Sequence, residues 1–308
     1  MLAILLKTLP FFAVIGLGYG AGRYRFFTAE ATAYLTRFVF YFALSAMLFG
    51  FAANLSLGET FSWGFVWAYL SATSLVWALV AGVAVWRGTT AEEAVFEAHT
   101  GVIGNVGFLG IPMLALLMGP KAVGPVLLVL AVDLIVFSSI LTMAITGLRG
   151  GRVTLGTFRT LADGILRNPM IVSVALGLVW GATGWHLAVP VNEFLTLLGA
   201  AATPCALFAI GASLAGRSAE RLEVAAWLSV SKLVLHPGAV AIAALWIFDV
   251  EPYAASVMIA AAALPVAGNV FILAQHYGVA PQRVSTAILI STAASILTLT
   301  GVIAWVTA

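Results

Sequence analysis

Gly104-Asn105-Val106-Gly107-Phe108-Leu109-Gly110-Ile111-Pro112 and Leu264-Pro265-Val266-Ala267-Gly268-Asn269 are the two stretches on which the fold turns. Each interrupts an apolar run that is otherwise long enough to cross a bilayer. Proline removes a backbone donor and glycine lowers helix propensity, so both sequences favour an unwound segment between two half-helices. Unwound backbone persists at membrane depth only where protein or a water-filled cavity satisfies it. The N-terminus of a half-helix offers free N–H groups and about half a positive charge, which suits an anion such as a carboxylate. Asn105 and Asn269 add neutral amides able to donate to the same group. Pro112 suits the first position of a new half-helix, where a missing N–H is harmless.

The rest of the chain explains why these breaks lie in a membrane. Of its 308 residues 62% are hydrophobic and 8% charged, against about 25% charged in soluble domains, which excludes a water-soluble globular fold. Fourteen basic and twelve acidic residues give a net charge of +2, too small and dispersed for a nucleic-acid partner. Cys205 is the one cysteine, so no intrachain disulfide forms, and no Cys or His pair has metal-ligand spacing; no cofactor or resident metal is expected. Arg23 and Arg25 follow the first apolar run, which reverses the charge order of a secretory signal and predicts that this segment stays in the membrane.

A spanning helix needs about 20 apolar residues. The polar interruptions leave ten candidate spans, at 2–21, 32–53, 63–86, 95–118, 122–148, 169–185, 190–215, 224–248, 252–275 and 283–307. The sixth is short, and the fourth and ninth carry the two breaks. Arg23, Arg25, Arg87, Arg149, Arg152, Arg159, Arg167, Arg217, Arg221 and Arg283 all follow odd-numbered spans, whereas the opposite loops hold Glu59, Lys121, His186, Glu193, Asp249 and Glu251. The positive-inside rule then puts the arginine loops, including the central one, in the cytoplasm and both termini outside the cell membrane.

Ala43–Leu55 (ALSAMLFGFAANL) and Ala202–Leu214 (ATPCALFAIGASL) align at an offset of 159, from Leu48 to Leu207, and Pro10 overlies Pro169 at the same offset. The chain thus reads as a repeat over 1–148, a cytoplasmic linker over 149–168 and a second repeat over 169–308. Five spans per repeat is odd, so the second copy runs inverted, and the broken spans four and nine can cross. The expected fold is an all-α polytopic membrane protein of ten transmembrane helices in two inverted five-helix repeats. At the crossing, Gly104, Asn105, Gly110, Pro112, Pro265, Gly268 and Asn269 are the candidate substrate-binding residues.

Asp133 lies about 16 Å into span five and Lys232 about 12 Å into span eight at 1.5 Å per residue. A lone charge at such depth costs roughly 2.5–3.5 kcal/mol, so the two are expected to be paired, shifted in protonation or open to a cavity. The functional reading makes Asp133 a proton acceptor and Lys232 its partner or a countercharge to the substrate; a static ion pair is the structural one. His236, one turn beyond Lys232 and before Pro237, relays a proton or bonds a carbonyl freed by the proline. His99, with Glu92, Glu93 and Glu97, reads as a solvated cluster. Ser291, Ser295 and Thr298 form a polar stripe on span ten that serves helix packing or a substrate contact.

Asn105–Pro112 (NVGFLGIP) resembles the signature of the auxin efflux carrier family, which includes plant auxin exporters and bacterial carriers for malonate and malate. Ala263–Gly278 (ALPVAGNVFILAQHYG) is similar to that family's second crossover, Arg167-Asn168-Pro169 to its start of span six, and Lys232–Pro237 (KLVLHP) to its span eight. The resemblance implies a dimerising scaffold over 1–56 and 169–216, a moving transport unit over 57–148 and 217–308, elevator-type alternating access, and Asn105, Pro112, Pro265 and Asn269 around the substrate. It departs from the plant members in its short central loop, and at Ser45, where many members have proline.

These readings converge on a secondary active transporter of a small organic anion, auxin-like or malonate- or malate-like, coupled to protons through Asp133, with sodium as the alternative ion. A cation exchanger of related architecture and a membrane sensor are the competing functions. The chain shows no appended signalling module, and an enzyme is not expected, because no HExxH or GxSxG arrangement occurs.

Overall fold

The structure is a computed structural model that describes residues 2–54, 61–150, 159, 162–163, 166–216 and 221–307. Glu59, Arg152 and Arg217, used above to orient the loops, and Leu55, used to align the repeats, lie outside the described residues, as does much of the 149–168 linker. Within them the chain is helical apart from connecting loops and one isolated antiparallel bridge, Gly104 to Val266.

Twelve helices are named here in chain order: α1 (Leu2–Arg23), α2 (Ala29–Ala53), α3 (Trp63–Trp86), α4 (Ala91–Val102), α5 (Val106–Met118), α6 (Pro120–Leu148), α7 (Pro169–Ala182), α8 (Val189–Ala215), α9 (Leu222–Ile247), α10 (Pro252–Ala262), α11 (Gly268–Tyr277) and α12 (Pro281–Val306). Seven of these, α1, α2, α3, α6, α8, α9 and α12, are long and apolar enough to cross a membrane; α5, α7 and α10 are apolar but shorter. The short ones occupy the places of spans four, six and nine, where glycine and proline or a short apolar run limit helix length.

Local sequence sets the helix starts. Thr90 and Glu93 form a reciprocal capping box ahead of α4. Asn168 accepts from the Met170 N–H at 3.0 Å and Pro169 takes the first position of α7, so the Asn-Pro pair is an N-cap followed by a residue with no N–H to satisfy. The carboxylate of Glu251 accepts from the N–H groups of Tyr253 and Ala254 to start α10. Five-residue π turns interrupt α2 at Val39–Ala43, α6 at Asp133–Phe137 and α9 at Ser231–Leu235, a fourth ends α9 at Ala243–Ile247, and a fifth opens α5 at Val106–Gly110.

The chain divides into two compact units, one of Met1–Leu9, Ser62–Phe158 and Arg217–Ala308, the other of Pro10–Phe61 and Arg159–Gly216. In the smaller unit helices approach through glycines. A Cβ built on Gly18 would lie 2.1 Å from the Phe208 carbonyl oxygen, and one on Gly211 would lie 1.9 Å from that of Ile15. Gly177 faces Ala52 and the Phe49 carbonyl, and Gly199 faces Met47, so α7 and α8 close on α2 in the same way. Membrane helices associate by such close backbone contact, because lipid supplies no hydrophobic drive between them. The larger unit has a more polar interior. Tyr69, Phe65, Phe96, Phe137 and Lys232 are its largest buried side chains, and the Thr8 and Thr300 hydroxyls, 3.2 Å apart, fasten the first turns of α1 to α12.

Candidate functional site: a paired helix break with a buried lysine

The two interruptions meet inside the larger unit. α4 ends at Val102, and Ile103 is extended (φ −81°, ψ 114°). α10 ends at Ala262, and the chain extends through Leu264–Ala267 before α11 begins at Gly268. The Asn105 N–H donates to the Pro265 carbonyl at 2.8 Å and the Ala267 N–H donates to the Ile103 carbonyl at 3.1 Å. Each unwound segment therefore satisfies the other, as buried backbone requires. The remaining Val266 N–H donates to Ser291 Oγ on α12 at 3.1 Å. Ser291, one residue of the polar stripe, thus holds the second break in place.

This pairing brings two helix N-termini, of α5 and α11, and two C-termini, of α4 and α10, to one buried place. Asn105 is 6% exposed, and Asn269 Oδ1 is buried with no partner among the described residues. Gly104 is where Lys232 passes: a Cβ there would lie 3.1 Å from Lys232 Cε and 3.2 Å from Nζ. At Gly110 a Cβ would meet the Leu264 side chain at 2.5 Å, whereas Gly268 has open space around it. Pro112 departs from its expected position at the head of the half-helix. The half-helix opens six residues earlier with the π turn, in which the Val106 N–H donates to the Gly104 carbonyl and those of Leu109 and Gly110 to the Asn105 carbonyl, and Pro112 falls in the first turn of the regular stretch Ile111–Met118.

Lys232 is fully buried; its ammonium donates to the carbonyl of Ala262, the last residue of α10, and lies 3.2 Å from His236 Nδ1. His236 Nε2 lies 3.0 Å from Thr73 Oγ1 on α3. Both ring nitrogens thus engage side chains. Asp133, 3% exposed, opens the π turn in α6 and accepts from the Tyr69 hydroxyl at 2.9 Å. Its other oxygen, Oδ2, is buried with no partner among the described residues. The Tyr69 and His236 rings meet edge to face at 5.7 Å. Tyr69 and Thr73, one turn apart on α3, were not singled out in the sequence. Their only signal there is hydroxyl spacing of i, i+4 on an apolar helix, which Ser71 and Ser74 on the same helix dilute.

At one end of the same unit the acidic cluster differs from the solvated patch expected. Glu97 is 2% exposed and receives both Arg87 and Arg283. Arg283 also reaches Glu93 at 3.1 Å. His99 is fully buried, with neither ring nitrogen partnered among the described residues. Solvation was the wrong expectation for Glu97 and His99, and Glu97 is covered because Arg283, from the far end of the sequence, folds over it, whereas Glu92 and Glu93 stay partly exposed. Arg149 pairs with Glu92 at 2.8 Å and donates to the Tyr277 carbonyl at 2.6 Å. The hydrogen bonds from Arg149 hold the Glu92 carboxyl below its usual range. That stabilisation is present above the normal carboxylate pKa and lost as pH falls through the lowered one, and it is small for so exposed a pair. His276, by contrast, is exposed near the end of α11, as a residue near a span end should be.

With this geometry, comparison with known proteins identifies the kind of molecule. Residues 3–303 match the family model described as "Membrane transport protein". The "Putative malonate transporter" of Rhizobium meliloti (strain 1021) is 31% identical over 302 residues, covering 96% of this chain and 93% of that protein. The "Probable auxin efflux carrier component 5c" of Oryza sativa subsp. japonica is 25% identical over 334 residues, covering 90% of this chain and 85% of the relative. Members of this family are transporters rather than enzymes, and with several apolar helices this is a multi-pass membrane protein. The chain belongs to the auxin efflux carrier family of membrane transport proteins.

Proposed function

We propose that the protein is a secondary active transporter of a small organic carboxylate, malonate being the first candidate, bound where the two helix breaks cross. The observation that carries this reading is the mutual pairing of the breaks beside a buried ammonium. Two half-helix N-termini, the amides of Asn105 and Asn269, and the Lys232 cation form a positive, polar place in an apolar body, which complements a carboxylate. The curated relative named for malonate supports the substrate class.

In the same proposal the ten spans form two inverted repeats. The crossover supports this: its two hydrogen bonds, Asn105 to Pro265 and Ala267 to Ile103, exchange under a two-fold that overlays Ile103 on Pro265 and Asn105 on Ala267, an offset of 162, three more than the 159 of Ala43–Leu55. An antiparallel bridge has its own local two-fold axis, as an inverted repeat requires at its centre. Residues 57–148 and 217–308 form the moving transport body, 1–56 and 169–216 the scaffold of a homodimer, and alternating access is of the elevator type. The termini lie outside the cell and the central loop in the cytoplasm. Asp133, with one carboxylate oxygen on Tyr69 and the other without a partner among the described residues, carries the coupling proton.

Thermal stabilisation of the purified protein by a panel of mono- and dicarboxylates tests the site. A binding acid raises the melting temperature of the wild type. Asn105→Ala and Asn269→Ala each weaken its apparent affinity by about tenfold, the equivalent of ~1.4 kcal/mol. Stabilisation that survives both substitutions removes the acid from the crossover. Proton coupling is tested separately, by malonate uptake into proteoliposomes with and without an imposed pH gradient; equal rates remove it. Cation exchange is the second reading, favoured by the unpartnered Asp133 oxygen. Under it Asp133→Asn abolishes ion flux and no carboxylate competes.

A further inference from the structure

As an ammonium, Lys232 fixes the protonation of its neighbour. An ammonium group has three N–H donors and no acceptor. With Lys232 in its charged form, the ring nitrogen of His236, whose Nδ1 lies 3.2 Å from Nζ, accepts. Nε2 then carries the ring proton and donates it to Thr73 Oγ1 at 3.0 Å. All three residues are fully buried, so water does not compete for these bonds. The Tyr69 ring against His236 fixes the plane of the imidazole. One Lys232 N–H goes to the Ala262 carbonyl and one to His236, leaving the third. Nζ lies beside Gly104, at the first break, so the third N–H belongs to the crossover.

We propose that Thr73 is a positioning residue for anion recognition: its hydroxyl selects the His236 tautomer that holds the Lys232 ammonium at the crossover with one donor left for a substrate carboxylate. Thr73 touches no substrate and acts through the imidazole. Without the hydroxyl, the ring can protonate Nδ1 instead and turn that proton on the Ala262 carbonyl, the acceptor that the neighbouring Lys232 Nζ uses. It would then compete with Lys232 for its backbone anchor and cease to accept from it. The proposal rests on the crossover being the carboxylate site, and two measurements separate its failure from the failure of that reading.

The first needs no ligand. Ring 15N shifts of the full chain in nanodiscs, labelled on its four histidines, report the tautomer of each ring, and His236→Gln identifies the His236 signal. The expected result is a protonated Nε2 and bare Nδ1 in the wild type and in Thr73→Ser, with protonated Nδ1 appearing in Thr73→Val. A wild-type ring protonated on Nδ1, or a Thr73→Val ring identical to wild type, overturns the proposal. The second is malonate uptake in proteoliposomes. Thr73→Val raises KM about tenfold with Vmax within about twofold, as the loss of one charge-assisted contact implies, and Thr73→Ser restores KM. A fall in Vmax alone, or failure of serine to rescue, assigns Thr73 a purely structural role and overturns the proposal. If the wild type takes up no malonate, the carboxylate reading loses its first substrate, and the ring shifts still decide what Thr73 does.

Discussion

Lys232→Met is expected to reduce malonate transport by about two orders of magnitude while the protein stays folded. Methionine keeps the length and apolar stem of lysine and removes the charge. Two stability effects then oppose each other. Burying the ammonium costs roughly 2.5–3.5 kcal/mol on the insertion scale, and the substitution relieves that. The Ala262 carbonyl and His236 Nδ1 lose a buried donor, at a cost of about 1–3 kcal/mol. Their near cancellation predicts a melting temperature in detergent within a few degrees of wild type. Transport has no such compensation. A charged hydrogen bond to a carboxylate contributes about 1.5–3 kcal/mol, which at its upper end is ~150-fold in affinity. Arginine does not rescue, because Gly104 leaves room for an ammonium and not for a planar fork: a single Cβ there already lies 3.2 Å from Nζ. Uptake at a range of malonate concentrations, with the melting curve of the same preparations, makes the comparison. Wild-type transport by Lys232→Met would reduce the lysine to a structural anchor, and the crossover would have to bind its anion through backbone and amides alone.

Much of this site is legible before any coordinates. Backbone chemistry announces itself where it is concentrated: Pro265 and the glycines and proline around Asn105 lower helix propensity together, so the breaks can be located from residue types, whereas an isolated proline such as Pro10 stays within a helix. The depth of Asp133 and Lys232 follows from counting at the helical rise. What they bond to does not. The two charges suggest an ion pair, yet the partner of Asp133 is the hydroxyl of Tyr69, and that of Lys232 is a helix-end carbonyl together with His236. Tyrosine and threonine are common on apolar helices, and only packing of α3 against α6 and α9 turns Tyr69 and Thr73 into partners. The π turns at Asp133 and at Lys232 are equally silent in sequence, since a single extra residue per turn leaves no compositional trace. Glu97 and His99 were misjudged for a related reason. Nearness to a span end implies solvent only if nothing covers that end, and Arg283, 186 residues from Glu97, does cover it.

The crossing of α1 and α8 in the smaller unit gives the other large effect, this time on folding. α1 carries glycines at 16, 18, 20 and 22, and they divide by face. A Cβ on Gly16 or Gly20 meets nothing within 4 Å, whereas one on Gly18 lies 2.1 Å from the Phe208 carbonyl oxygen and one on Gly22 lies 2.8 Å from that of Ala212. Across the contact, Gly211 is as tight against Ile15. The obstacles are backbone atoms, so no rotamer change relieves them and the helices must separate. Overpacking a well-packed site costs typically about 1–3 kcal/mol, and here separation also loosens every contact along the seam that holds membrane helices together. Gly18→Val and Gly211→Val are each expected to lower the melting temperature sharply in detergent, and the double variant to yield little folded protein. Gly16→Ala and Gly20→Ala, on the open face, are neutral or slightly stabilising, since alanine favours helix over glycine by about 1 kcal/mol. The paired design separates close approach from helix propensity: both faces gain propensity, and only one gains a clash. Equal tolerance on the two faces would mean that α1 does not lie against α8 through Gly18 and Gly211, and the packing of this unit would need to be redrawn.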